Sequence, residues 1–157
     1  MTPLAVVSLG SNVGDRLAFL QLGVDVLRPC AVSPVYETTA VGGVEQDDFL
    51  NAVVLVESDA ALAWERAQAA EQRAGRTRDV RWGPRTLDVD VIWAVGAAAG
   101  LTLPHPRAAE RAFVLAPWVD VQPDAVLGSD RVQDLLCRLD RSGVRQTDQQ
   151  LDLPAHR

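Results

Sequence analysis

Asp88-Val89-Asp90 is the spacing in this chain that most directly suggests chemistry. On a β-strand, residues two apart point the same way with Cα atoms ~6.6 Å apart, so both carboxylates would converge on one spot. Like charges so placed repel unless a cation lies between them. Hard oxygen ligands kept close to water suit Mg²⁺ bridged to phosphates. An exposed strand face whose aspartates pair with arginines has the same spelling, so the spacing alone leaves both readings open.

The segment just ahead carries Arg73, Arg76, Arg78, Arg81 and Arg85, with Trp82 and Gly83-Pro84 among them. Arginine stays charged and offers phosphate oxygens a planar fork, so such a loop could close over a polyphosphate and exclude water. A solvated basic loop offsetting an acidic protein is the plainer alternative, and Trp82 is either a piece that packs when the loop shuts or a local anchor. All 15 basic residues are arginines. That removes P-loop lysines, kinase-type ATP-anchoring lysines and Schiff-base chemistry, and any phosphate clamp must be built from arginine.

Pro104-His105-Pro106 holds a histidine between two prolines that restrict its backbone, and Arg111 follows. His105 either hydrogen-bonds a phosphate or sits in a satisfied structural pocket. His156 lies in the tail, so a zinc site of the usual Cys/His kind has no ligands to draw on. Gly10-Ser11-Asn12-Val13-Gly14 lacks both the GxGxxG spacing and a lysine, and reads mainly as a tight turn. No G-x-S-x-G elbow appears, and neither Cys30 nor Cys137 has an evident basic or helix-start setting.

The elements that must position these residues fit one domain, because 157 residues is ordinary domain length. Apolar residues at 48% and charged residues at 23% match globular averages and supply a hydrophobic core. A net charge of −6 disfavours a diffuse hold on nucleic acid or anionic membrane. Without a basic region ahead of an apolar N-terminal stretch, without a CxxC pair and without a ~20-residue apolar run, the expectation is a cytoplasmic protein with free thiols.

Leu4 to Leu9 reads as a buried strand, and Asp15 as the cap of a helix with Leu17, Leu20, Val24 and Leu27 at helical spacing up to Pro29. Strands follow over 32–36 and 49–56. Ser58-Asp59 caps a helix over about 60–74, ended by Gly75. Residues 87–93 alternate as a strand with both aspartates on one face, and 101–103 can return beside it. Helices are expected over about 108–115 and 131–139, with weak order after about Ser142. Two β-α-β passes predict an α+β, ferredoxin-like sandwich with an additional C-terminal helix, in a single domain with its core over about 4–127.

An ordered set then becomes specific: Gly10-Ser11-Asn12, Phe49-Leu50-Asn51-Ala52-Val53, Arg81-Trp82-Gly83-Pro84-Arg85-Thr86-Leu87-Asp88-Val89-Asp90, and Pro104-His105-Pro106 with Arg111 and Phe113. From about Leu4 to Leu127 the chain resembles the 6-hydroxymethyl-7,8-dihydropterin pyrophosphokinases. The resemblance implies a ferredoxin-like enzyme of folate synthesis that moves pyrophosphate from ATP to the pterin hydroxymethyl group, releases AMP, and uses two Mg²⁺ ions. By matched position it implies Asp88 and Asp90 as metal ligands and Arg76 and Arg85 as catalytic-loop arginines. Gln68, Glu71, Arg78, Arg81, His105 and Arg111 become ATP contacts. Phe49 and Phe113, which alone would read as core residues, become the aromatic pair around the pterin. Asn51 reads its polar edge, Thr38 and Val41 lie beside it, and Trp82 closes over it. Asp79, Ala40 and Pro106 depart from the common pattern, which bears on loop dynamics and ATP affinity. A monomer without nucleic-acid or membrane partners is expected. The competing classes are an RNA-reading module, which the acidic balance and the two aspartates oppose, and a degenerate member that binds without turnover.

Overall fold

The computed structural model describes residues 2–39, 48–75 and 86–154. In chain order the elements are β1 (Leu4–Ser11), α1 (Arg16–Leu27), β2 (Ala31–Val32), β3 (Tyr36–Thr38), β4 (Phe49–Glu57), α2 (Ala60–Arg73) and β5 (Asp88–Trp93), followed by a 3-10 turn (Ala108–Glu110). The remainder comprises α3 (Ala112–Val121), β6 (Val126–Leu127), β7 (Asp130–Arg131), α4 (Val132–Cys137) and β8 (Val144–Gln146).

The main sheet runs β5-β1-β4-β3-β8, with β2 also paired to β4. Every ladder is antiparallel. The first strand thus lies between β4 and β5, the two strands of the second β-α-β pass, which is the interleaved order of a ferredoxin-like sheet. Along β1, Ala5, Val7 and Leu9 point to one face, where Val54, Val56, Val89 and Val91 join them against α1 and α2. Val6 points to the other face with Val53, Leu55 and Ile92, under Leu115 and Trp118 of α3. Each fully buried Val or Leu contributes about 1.5–3 kcal/mol, so the two apolar layers clamp the sheet from both sides.

The helix starts follow the sequence expectation. The Asp15 carboxylate accepts from the Ala18 backbone N–H at 3.1 Å, and Asp59 accepts from that of Leu62 at 3.0 Å. Gly23 lets α1 approach the sheet, because a Cβ there would stand 3.0 Å from Leu9 Cδ2.

Several expectations are corrected. The strand expected over 32–36 is two short pieces, since Pro34 has no N–H for the ladder and the Ser33 hydroxyl accepts from Val53 N–H at 2.9 Å instead. Residues 101–103 form no strand: Leu101 closes a turn onto the Ala98 carbonyl, and Leu101 and Leu103 pack on the apolar layer under α1 and α2. The helix expected over 108–115 is a 3-10 turn and then α3, separated by extended backbone at Arg111 (φ −112°, ψ 98°). Trp93, which alternation puts with Val89 and Val91, is 41% exposed because the β1–β5 register shifts there.

The segment after Ser142, expected to be weakly ordered, is tied down. β8 pairs with β3, Leu151 is buried against the apolar layer, and Gln21 bonds the backbone of Asp152 in both directions. Both cysteines are free thiols, Cys30 half-buried and Cys137 exposed.

Candidate active site

Register decides what stands beside the aspartates. Asp88 pairs with Gly10, Gly10 with Asn51, and Asn51 with Tyr36, giving one row across β5, β1, β4 and β3. Asp90 pairs with Ser8 in the row below, and Thr38 pairs with Phe49 in the row above. Because alternate residues share a face, Asp88, Asp90, Gly10, Asn51, Phe49 and Thr38 all lie on the α3 side, beyond the apolar patch that α3 covers.

Gly10 is the floor of this end of the sheet. A Cβ on it would stand 3.0 Å from Asn51 Nδ2 and 3.6 Å from Phe49 Cδ1, so both side chains lean over a strand that presents bare backbone. Asn51 is 4% exposed and its Oδ1 has no hydrogen-bond partner; the hydroxyl oxygens of Thr38, Ser11 and Thr86 are likewise buried and unpartnered. Leaving buried acceptors unmet costs about 1–3 kcal/mol each, and a ligand edge carrying N–H and O–H groups recovers that cost.

The acidic side has its own cover. Arg111 Nη1 lies 3.9 Å from Asp90 Oδ2, and its guanidinium carbon stands 5.7 Å from the centre of the Phe113 ring. His105 is fixed to β5 by its backbone N–H, which donates to the Ile92 carbonyl at 2.8 Å. Its Nδ1 accepts from the Arg107 N–H at 3.2 Å, so the neutral ring carries its proton on Nε2 and offers a donor there. Burial pushes the His105 pKa down; nearby Asp90 pulls it up, while Arg111 and Arg107 push it further down. The ring is therefore neutral at pH 7.

Of the α2 residues, Gln68 is exposed, whereas Glu71 is 8% exposed and its Oε2 accepts from the Val89 N–H at 3.0 Å. Glu71 thus holds the residue between the two aspartates. Among the described residues no group of three His, Cys, Asp or Glu converges as a metal site. Asp88 and Asp90 remain a pair of hard oxygen donors on one strand face, with the Asp90 side chain 42% exposed. That donor set fits a divalent cation whose other ligands are phosphate and water.

The structure therefore brings together Thr38, Phe49, Asn51, Asp88, Asp90, His105, Arg111 and Phe113 from three strands, a loop and the start of α3. Val41, Arg76, Arg78, Arg81, Trp82 and Arg85 lie outside the described residues, as do Ala40 and Asp79. Sequence reading passed over Gly10 as a turn residue, although it lies inside β1, and did not single out Thr86. A glycine at the end of an apolar strand was the available signal for the first.

Fold and site together define a ferredoxin-like α+β protein with an acidic, partly uncovered end to its sheet. Solved structures of Plasmodium falciparum HPPK-DHPS share the fold: the A437G variant with pteroate superposes with a TM-score of 0.66 at 12% identity. That match covers 88% of this chain and 43% of the other, so the chain spans less than half the length of that polypeptide. The family model for 7,8-dihydro-6-hydroxymethylpterin-pyrophosphokinase (HPPK) matches residues 6–123. A 2-amino-4-hydroxy-6-hydroxymethyldihydropteridine pyrophosphokinase of Mycobacterium leprae is 50% identical over 94% of this chain and 91% of its own length. The Bacillus subtilis protein of the same name is 40% identical over 77% of this chain and 79% of its own. The chain belongs to the HPPK family and is a pyrophosphokinase.

Proposed function

We propose that this site transfers the β,γ-pyrophosphoryl group of ATP to the hydroxymethyl oxygen of 6-hydroxymethyl-7,8-dihydropterin, with the residues dividing the work as follows. The pterin lies over Gly10, where Asn51 Oδ1 and Thr38 Oγ1 accept from its polar edge and Phe49 and Phe113 cover its faces. The row Asp88–Gly10–Asn51 carries the reading, since it sets a bare-backbone floor directly beside two carboxylates.

Asp88 and Asp90 would hold Mg²⁺, two ions with ATP, which supply charge neutralisation across the triphosphate. His105 presents its Nε2 donor to ATP, and Arg111 exchanges Asp90 for phosphate oxygens. Gln68, exposed on α2, contacts ATP on the family pattern, and Glu71 supports that half by holding Val89. On the family pattern, Arg78 and Arg81 contact ATP, Val41 and Trp82 cover the pterin, and Arg76 and Arg85 stabilise charge as the α–β bridging bond breaks and AMP leaves.

The reading includes a single unit acting as a monomer in the cytoplasm, without nucleic-acid partners. It rests there on the net charge of −6, which repels polyanions, and on the absence of a membrane-crossing helix among the described residues. Incubation with Mg²⁺, ATP and the dihydropterin, followed by nucleotide separation, tests the reaction. Pterin-dependent AMP is expected. ADP in its place, or binding of both ligands without any product, overturns it.

A further inference from the structure

Behind the pterin floor, on the opposite face of β3, lies a charged cluster that the reaction does not use. Arg16, the first residue of α1, donates from Nη1 to Glu37 Oε2 and to the Asp48 carbonyl, each at 2.8 Å. Arg145 of β8 donates from Nη2 to Glu37 Oε1 at 3.1 Å and to Asp48 Oδ2 at 2.8 Å. Glu37 therefore takes one arginine on each carboxylate oxygen. The Arg16 guanidinium, helped by Arg145, holds its carboxyl below the ordinary value against the opposing effect of burial.

The placement follows from alternation. Glu37 stands between Tyr36 and Thr38 and points away from them, and Asp48 precedes Phe49 in the same sense. Arg145 is the register partner of Glu37, so β8 delivers its charge to this point. Thr38–Phe49 is the final pair of the β3–β4 ladder among the described residues. A ladder end frays more readily than its middle, and four charges tying β3, β4, β8 and α1 together oppose that fraying.

We propose that Arg145, with Arg16, is a positioning residue for the pterin site, holding Thr38 and Phe49 in register through Glu37 and Asp48. The inference rests on the pterin reading of those two residues. It gives the C-terminal strand, which lies beyond the 6–123 family match, a part in substrate recognition. Partly exposed ion pairs are individually weak, so the expected effect is a modest one on a single substrate.

The test is steady-state AMP formation by the full chain and by R145Q and R145K, varying each substrate separately at low and high KCl. R145Q should raise the pterin KM about five- to tenfold while kcat and the ATP KM stay within about twofold. R145K should stay close to wild type, because one nitrogen of Arg145 makes both bonds and an ammonium can take its place. Added salt should raise the wild-type pterin KM more than that of R145Q, which keeps only the Arg16–Glu37 pair to screen. An unchanged pterin KM in R145Q overturns the proposal, as does a joint loss of kcat and of affinity for both substrates with a lower Tm, which marks a merely structural role. If R145Q does not fold, Glu37→Gln takes its place, keeping the β8 ladder and the Arg145–Asp48 pair, and an unchanged pterin KM there is equally fatal. Absence of AMP from the wild-type chain overturns the pterin reading itself, and this role with it.

Discussion

Along β1, Ala5, Val7 and Leu9 face α1 and α2 and are fully buried, whereas Val6, Ser8 and Gly10 face the other way and only Val6 is a large apolar residue. The neighbouring strands repeat the contrast. Val54 and Val91 are dry on the first face, while Asn51, Asp88 and Asp90 occupy the second. One face is apolar along β1 as far as Leu9, with Ser11 and the Glu37 ion pairs only at its end. The other is apolar only beneath α3 and turns polar where α3 begins. The first face carries one unpartnered buried oxygen, the Ser11 hydroxyl at the very end of β1. The second holds unpartnered oxygens on Asn51 and Thr38, a stability cost that a bound ligand offsets. The lesson is that a strand's alternation assigns residues to faces, but the cover above each half of a face decides whether it becomes core or site.

Substitutions on the two faces should therefore fail in different ways. The largest effect is expected from Asp90→Asn, which keeps the shape and removes a charge: AMP formation should fall about a thousandfold, or about 4 kcal/mol, with the melting curve unchanged. Turnover near wild type would remove Asp90 from the metal site. On the dry face the cost should appear in folding instead. Leu27, fully buried at the far end of α1, should lose about 2–5 kcal/mol in denaturant titrations as Leu27→Ala, while the folded fraction keeps both KM values. A selective change in either KM would blur the division between the faces. The smallest and sharpest of the three is Gly10→Ala. Its new Cβ would press on Asn51 Nδ2 at 3.0 Å, so the pterin KM should rise about tenfold with the ATP KM unmoved. Equal changes in both constants would show that the floor is not specific to the pterin half.

Much of this was legible in advance. The capping aspartates, Asp15 and Asp59, announce their helices because a carboxylate before an apolar helical pattern has one strong local use. The facing of Asp88 and Asp90 follows from their spacing, and the ordered motifs around them point to the family before any coordinate is known. The misses share a cause. Leu101 and Leu103 looked like a strand but close a turn and pack as side chains. The tail after Ser142 looked unattached because its partners, β3 and Gln21, are more than a hundred residues away in the chain. Glu71 matched an ATP-contact position, yet a reading of α2 alone could not reveal that its carboxylate holds Val89.

By itself, the sequence determined local conformation and chemistry: which stretches pair or coil, which carboxylates share a strand face, and that arginine is the permanently charged cation available to a phosphate. The tertiary structure decided adjacency. Gly10 becomes a floor because β5 and β4 flank β1 in register with it, and Arg145 reaches Glu37 because β8 returns to the edge of β3. Those pairings join residues far apart in the chain, and the free energy that selects them comes from burying both faces of the sheet at once, a property that no single segment carries.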